Sequence, residues 1–251
     1  VDAMDERLTI ATIDSPSCPV GTRVGSFIES GHSSGLDIKS VSTDCLTNGL
    51  GLLESGDVDI LALPAELVHG NIMNLLQSCC KVVGARTPVR PYPVLVSDNK
   101  IQYQPKSAIL LCDKKLNRRQ LRRSRGGLRV LDPDAYASIV DIEKPPSDPI
   151  LKAKWMEELR DAGEIDGFVI PRGIYDGANL VSRRHSLLPD GLNEGDPDFL
   201  PPAYSDLIVL LARNRFPTSI SKEVSEREGE TCWWVQNSLV GSLAPEMLEK
   251  M

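Results

Sequence analysis

Val58-Asp59-Ile60-Leu61-Ala62-Leu63 is a nearly continuous apolar run. It reads as a strand covered on both faces, the environment of a parallel sheet between helices. Working outward, residues 46–55 have helical spacing, weakened by Gly49 and Gly51 and ended by Gly56-Asp57. Residues 36–42 alternate as a second strand, and residues 20–30 read as a helix closed by Gly31. Residues 7–13 are a third strand, running into the turn Asp14-Ser15-Pro16-Ser17. Downstream, residues 67–76 read as a helix and residues 81–85 and 92–97 as strands. Strand, helix, strand, helix, strand at short intervals is the pattern of an α/β sheet.

The pattern restarts further along. Residues 108–112 are a buried strand, 117–124 a helix, 128–131 a short strand and 166–170 another strand. Between them, residues 148–162 form the best helix of the chain, with Ile150, Leu151, Trp155 and Leu159 on one face and Gly163 at its end. An apolar strand at 207–212 follows a proline-rich loop. Two α/β units are therefore expected, joined near residues 97–106, with a polar, Gly/Pro-rich connection over 182–202. No internal repeat is evident.

The 251 residues are 41% hydrophobic and 25% charged, which excludes wholesale disorder. No stretch approaches the roughly 18 apolar residues of a membrane helix. Only 5% of residues are aromatic, so the core must be built from aliphatic side chains. The N-terminus has no apolar segment before a cleavage site, and no secretory signal is read there, although a matured chain would look the same. A net charge of −7 argues against coating nucleic acid or an anionic membrane through the overall field, so neither is expected as a partner, but it does not exclude one local basic patch, and one is present. Cys18, Cys45, Cys79, Cys80, Cys112 and Cys232 show no CxxC and no zinc spacing. Reduced thiols and a cytoplasmic location are expected, with no metal. His32, His69 and His185 are scattered without triad spacing.

Several segments, in order over about residues 8–215, resemble porphobilinogen deaminase (hydroxymethylbilane synthase). Ile10-Ala11-Thr12-Ile13-Asp14-Ser15-Pro16 is similar to the family's first strand and its Thr-Arg-x-Ser-Pro turn. Leu53-Glu54-Ser55-Gly56-Asp57-Val58-Asp59-Ile60 is similar to the helix end and strand that follow. Arg86-Thr87-Pro88-Val89-Arg90 resembles the crossover motif, and Leu116-Asn117-Arg118-Arg119-Gln120 resembles S-S-L-R-R-Q with one inserted residue. Ile165 to Ile170 and Leu200-Pro201-Pro202 sit where later family strands would lie.

The resemblance implies an α/β fold with two periplasmic-binding-protein-like (type II) domains, a double crossover and a short C-terminal helical segment. The first domain would comprise residues 7–88 and 187–215, the second 92–182, and 216–251 would be the remnant of a third. It also implies tetrapyrrole biosynthesis, porphobilinogen as substrate and a dipyrromethane cofactor on a cysteine. The ligand would lie at strand carboxyl ends and helix N-termini.

The reaction handles many carboxylates, so it needs arginines, which grip carboxylates bidentately, and an acid to manage protons. Here the family's first arginine is Ile13, and its lysine and catalytic aspartate are Glu66 and Leu67. No catalytic residue is assigned; Glu66, one position from the aspartate, is the candidate. Cys232, after Arg227-Glu228-Gly229-Glu230-Thr231, is the candidate cofactor carrier. Ser15, Arg118 and Arg119 survive as the expected substrate or anion site, facing one another across a cleft. Altered or lost catalysis follows from these changes.

Residues 114–129 hold eight basic side chains, among them Arg118 and Arg119. They read either as a solvated face or as an anion site; nucleic acid is disfavoured by the missing aromatics. The alternative to an enzyme is a non-catalytic two-lobed protein binding a small anion, carboxylate or phosphate, and a further alternative is an assembly partner of tetrapyrrole enzymes. Arg86, Arg90, Arg172 and Arg183, at expected crossovers and loops, are the next anion-binding candidates.

Overall fold

The computed structural model describes residues 7–31, 35–69, 71–189 and 198–243. The chain divides into two units, the first from residues 7–89 and 203–242, the second from 90–202. His32, Asp196 and residues 244–251 lie outside the described residues.

The first unit begins with β1 (Arg7–Thr12), α1 (Val20–Glu29), β2 (Asp37–Ser42), α2 (Leu46–Ser55) and β3 (Ile60–Pro64). The decisive apolar run becomes β3, in which every residue is buried. Gly56 adopts a left-handed φ of 82°, which a side chain resists, and so ends α2 before β3. The expected helix at 67–76 is instead two short ones, α3 (Ala65–His69) and α4 (Ile72–Gln77), leading to β4 (Cys80–Arg86).

The second unit contains β5 (Pro93–Val96), β6 (Ile109–Cys112), α5 (Lys115–Ser124), β7 (Arg129–Leu131), α6 (Pro133–Val140), α7 (Pro149–Asp161), β8 (Gly167–Pro171), α8 (Arg172–Gly177) and β9 (Arg184–Ser186). The two prolines at helix starts are each preceded by a capping aspartate. Asp132 accepts from the N–H of Asp134 at 3.0 Å and Asp148 from that of Leu151 at 2.8 Å. The buried stripe of α7 runs through Ala153 and Met156, with Ile150, Trp155 and Leu159 beside it, while Leu151 is exposed. The chain then returns to the first unit as β10 (Ile208–Arg213), α9 (Thr218–Val224) and α10 (Arg227–Ser242).

Both sheets have five strands and the same arrangement. The orders are β2-β1-β3-β10-β4 and β7-β6-β8-β5-β9. In each, the fourth strand runs antiparallel to both neighbours, β10 between β3 and β4 and β5 between β8 and β9. This is the type II periplasmic-binding arrangement of two α/β units. The second crossing falls later than residue 187, because β9 pairs with β5 and because Leu187 and Phe199 are buried in the second unit's core. Residues 216–242 are not a separate third domain, since α9 and α10 pack on the first unit.

The start of α10 is stitched to β4, an edge strand. Ser225 Oγ accepts the Ala85 N–H at 3.0 Å, the Glu226 N–H donates to Ala85 O at 2.9 Å, and Glu226 takes the Thr87 N–H at 2.6 Å. Arg86 adds an ion pair to Glu226 at 2.9 Å and lies over the Phe27 ring. These bonds cover backbone groups that an open edge would expose. At Gly229 an added Cβ would meet Arg86 C at 2.5 Å and Thr87 N at 2.7 Å, both backbone atoms that cannot step aside.

Gly229→Ala should therefore lower stability by about 1–3 kcal/mol, read as a lower Tm in a thermal melt. Gly241→Ala, on the same helix with open space around its Cα, should leave it unchanged or raise it slightly, since Ala is the better helix former. Equal effects would show that α10 does not pack as described. The Glu226 carboxyl yields a second prediction. Burial pushes its pKa up, but the Thr87 N–H and then Arg86 outweigh this and hold it below the ordinary 4.5. Its stabilising contribution is then complete above that value and is lost as pH falls through the lowered one. Glu226→Gln should flatten the acid side of the Tm-against-pH curve; an unchanged slope would contradict the pairing.

Candidate functional site

At the carboxyl end of β1 the chain turns through residues 13–19 into α1. Asp14 accepts the Gly21 N–H at 2.7 Å, and Ser15 and Cys18 exchange backbone bonds at 3.1 Å. The Ser15 hydroxyl accepts the Cys18 N–H at 3.1 Å, so it serves the loop. Arg23 of α1 donates to the Asp206 carbonyl at 3.0 Å, to its Oδ1 at 3.1 Å and to Thr87 O at 2.6 Å. Asp206 Oδ2 in turn accepts the Val89 N–H at 2.9 Å. One ion pair, 19% and 8% exposed, thus holds both segments through which the chain leaves and re-enters the first unit. Cys18 lies against this pair, and burial, then Asp206, push its thiol up to about 12.

Glu66 is exposed in the first turn of α3, and Leu67 beside it is half-buried. Ile13, in the place of the family arginine, is 3% exposed and belongs to the core. His69 stacks with Tyr204, whose ring also meets that of Trp233; the centroids are 5.4 and 5.7 Å apart. Cys232 is half-buried in the second turn of α10, not in a loop. A cavity of about 1040 Å³ lies at the opposite end of the sheet, among Leu8, Asp59, Cys79, Arg213 and Phe216.

In the second unit the parallel strands β6, β7 and β8 end at Asp113, Asp132 and Arg172, and the antiparallel β5 starts beside them. Arg118 reaches back from α5 to this end. Its Nη1 donates to Cys112 O at 2.7 Å, to Asp113 O at 2.5 Å and to Asp132 Oδ2 at 3.0 Å. Asp132 uses its other oxygen to cap α6. All three contacts fall on Nη1, so the Nη2 and Nε donors make no hydrogen bond among the described residues. Lys152 of α7 reaches Asp113 at 3.4 Å, and Arg172 and Arg90 both pair with Asp176. Cys112 lies beneath, its thiol pushed up to about 12 by burial. Asn117, 4% exposed, has no donor for its Oδ1 among the described residues.

Arg118 and Arg119 are separated by the helix itself, because successive residues point about 100° apart. Arg118 is turned to the strand ends with its side chain 18% exposed, while Arg119 is exposed on the outer face. Ser15 belongs to the first unit and the two arginines to the second. Of the further arginine candidates, Arg86 is bound to Glu226, Arg90 and Arg172 share Asp176, and Arg183 is exposed. The sequence reading missed Asp132 and Lys152. The Asp-Pro dipeptide at 132–133 signals a helix cap, but nothing local shows that the same carboxylate receives Arg118. His185 bonds to Ser97 O at 3.1 Å, and burial, then Arg183, hold it below its ordinary value. Among the described residues no cluster of three potential metal ligands occurs.

No family model matches the chain, and no curated protein does. Among solved structures it is similar to the methionine binding protein MetQ, at 13% identity and a TM-score of 0.44 over 92% of this chain and 95% of that one. It is similar to a periplasmic substrate-binding protein of an ABC transporter from Coxiella burnetii, at 16% identity, TM-score 0.43, over 91% and 96%. A YaeC-family lipoprotein from Enterococcus faecalis gives 10% identity and 0.46 over 95% and 98%. These are binding proteins and lipoproteins rather than porphobilinogen deaminases, which overturns the family resemblance. With it fall tetrapyrrole chemistry, porphobilinogen and the dipyrromethane cofactor. The cytoplasmic expectation falls too, because these neighbours are described as periplasmic or as lipoproteins.

The burial of Cys18 and Cys112 predicts their chemistry. At pH 7–8 both are protonated and unreactive, whereas Cys45 and Cys79 are exposed. A thiol reagent on the native protein, followed by peptide mapping, should label Cys45 and Cys79 first, and Cys18 and Cys112 only after unfolding. Early labelling of Cys112 would contradict its placement.

Proposed function

We propose that the chain is a non-catalytic, two-unit solute-binding protein whose second unit takes a small carboxylate-bearing solute at Arg118. The observation that carries this reading is the guanidinium itself. It is anchored through one nitrogen at the carboxyl ends of β6 and β7, and its remaining donors, without a hydrogen bond among the described residues, can form a fork. Strand carboxyl ends are where open α/β sheets bind ligands, and a fork of N–H donors matches a carboxylate. The thiols nearest the strand ends, Cys18 and Cys112, are held neutral, which favours binding over chemistry.

Methionine, named in the description of one similar structure, carries such a carboxylate and is the first probe, followed by other amino acids, dicarboxylates and inorganic phosphate. One of the carboxylates should raise the Tm and give a measurable Kd by calorimetry. Arg118→Ala should weaken that binding at least tenfold, since a charge-assisted contact contributes about 1.5–3 kcal/mol. Arg118→Lys, which keeps the charge and loses the fork, should fall between. Arg119→Ala should bind as the unmodified chain does. Binding that survives Arg118→Ala, or a panel without any hit, overturns the reading.

A further inference from the structure

Residues 100–129 contain ten basic residues and one acidic, Asp113, a net of +9 in a chain whose total is −7. The rest of the protein therefore carries −16. The structure divides these ten side chains. Arg118 turns inward to Asp132 and is the only one with a carboxylate in ion-pair range among the described residues. Arg122 and Arg125 donate to the backbone carbonyls of Val130 and Gln102, which are neutral acceptors and leave the charge uncompensated. Lys100 is half-buried, and Lys106, Lys114, Lys115, Arg119, Arg123 and Arg129 are exposed. None of these seven has an ion pair among the described residues. A solvated face of this density normally carries interspersed carboxylates; here only Asp113 stands among the basic residues, and it is bound to Lys152.

We infer that the outer face of α5, with the flanking loops, is a docking surface for an anionic lipid bilayer. Clustered Lys and Arg on one helix face attract anionic headgroups without demanding a directional match. A nucleic acid long enough to wrap would also meet the −16 of the remainder, and bases would need stacking partners. The single aromatic in the segment, Tyr103, is 70% exposed in the one-turn helix whose Gln102 carbonyl holds Arg125. A lone exposed tyrosine suits the headgroup level of a bilayer. No helix among the described residues is long and apolar enough to cross a membrane, so the contact is peripheral. The inference does not depend on the solute proposed for Arg118.

Co-sedimentation with vesicles tests it. The full chain should bind phosphatidylcholine vesicles containing 30% phosphatidylglycerol at 50 mM salt, and pure phosphatidylcholine vesicles weakly or not at all. Raising the salt to 300 mM should cut the binding at least tenfold, because exposed charges are screened. Each basic side chain adds about fivefold to partitioning, so Lys106→Ala, Arg123→Ala and Arg129→Ala together should lower it about a hundredfold. The Tm should not change, since all three are exposed. Equal binding to both vesicle types, or binding that ignores both salt and the triple substitution, overturns the inference. So does tighter binding of a single-stranded oligonucleotide than of the anionic vesicles at the same salt. The vesicle and salt comparisons use the unmodified protein and decide the matter even if the triple variant folds poorly.

Discussion

The first unit depends on a strand that arrives late. β10 inserts antiparallel between β3 and β4, so that sheet is continuous only after the chain has built the second unit and returned. All but the last residue of β10 are buried, and both ends are secured by charge. At one end Asp206 takes Arg23 and the Val89 N–H. At the other, Arg213 donates to the carbonyls of Leu53 at 2.6 Å and Val58 at 3.2 Å, which close the turn after α2. A pairing spanning well over a hundred residues is slow to form because the intervening loop must close first. The second unit has no such debt, as β5 lies within its own continuous stretch.

The same polar groups recur in two roles. Arg23, with Asp206, fixes where the connections attach; Arg86, with Glu226, seals the edge strand beside them. Both are partly shielded ion pairs that also satisfy backbone groups, which makes them worth more than surface pairs of the same length. Arg118 is built alike, bound to two carbonyls and to a capping carboxylate. It differs in leaving a whole edge, Nε and Nη2, without a hydrogen bond among the described residues, and that edge lies at a strand end; this separates a structural arginine from a candidate binding one.

The basic run shows how little a charge cluster reveals before it is folded. Arg118 and Arg119 looked equivalent as neighbours, yet helical rotation sends one to the strand ends and the other to solvent. The family resemblance failed for a related reason. Its matches lay in strand ends and turns, which any α/β unit of this type must supply: apolar strands, a Ser-Pro turn, a Gly-Asp pair after a helix. They reported the architecture, and the residues that would have carried the chemistry were already missing at Ile13 and Leu67.

Hydrophobic period and turn residues determined much of this protein by themselves. β1, β2, β3, β6, β8 and β10, and helices α1, α2, α5 and α7, lie where apolar spacing placed them, because burial on a sheet or helix face is written locally in the period. The same spacing could not show that residues 67–76 break into two helices, that β9 exists in three polar residues, or that Leu187 and Phe199 stay with the second unit. Those depend on partners distant in sequence: β9 forms because β5 offers its edge, and the connection stays because Leu187 and Phe199 find a core there. For the candidate site, the residue types were legible and their assignments were not. That the Ser15 hydroxyl accepts a bond from its own turn and that Asp132 serves both a helix cap and Arg118 was decided by tertiary structure, since a hydrogen-bonding group has a fixed number of positions and only the fold determines which neighbour fills them.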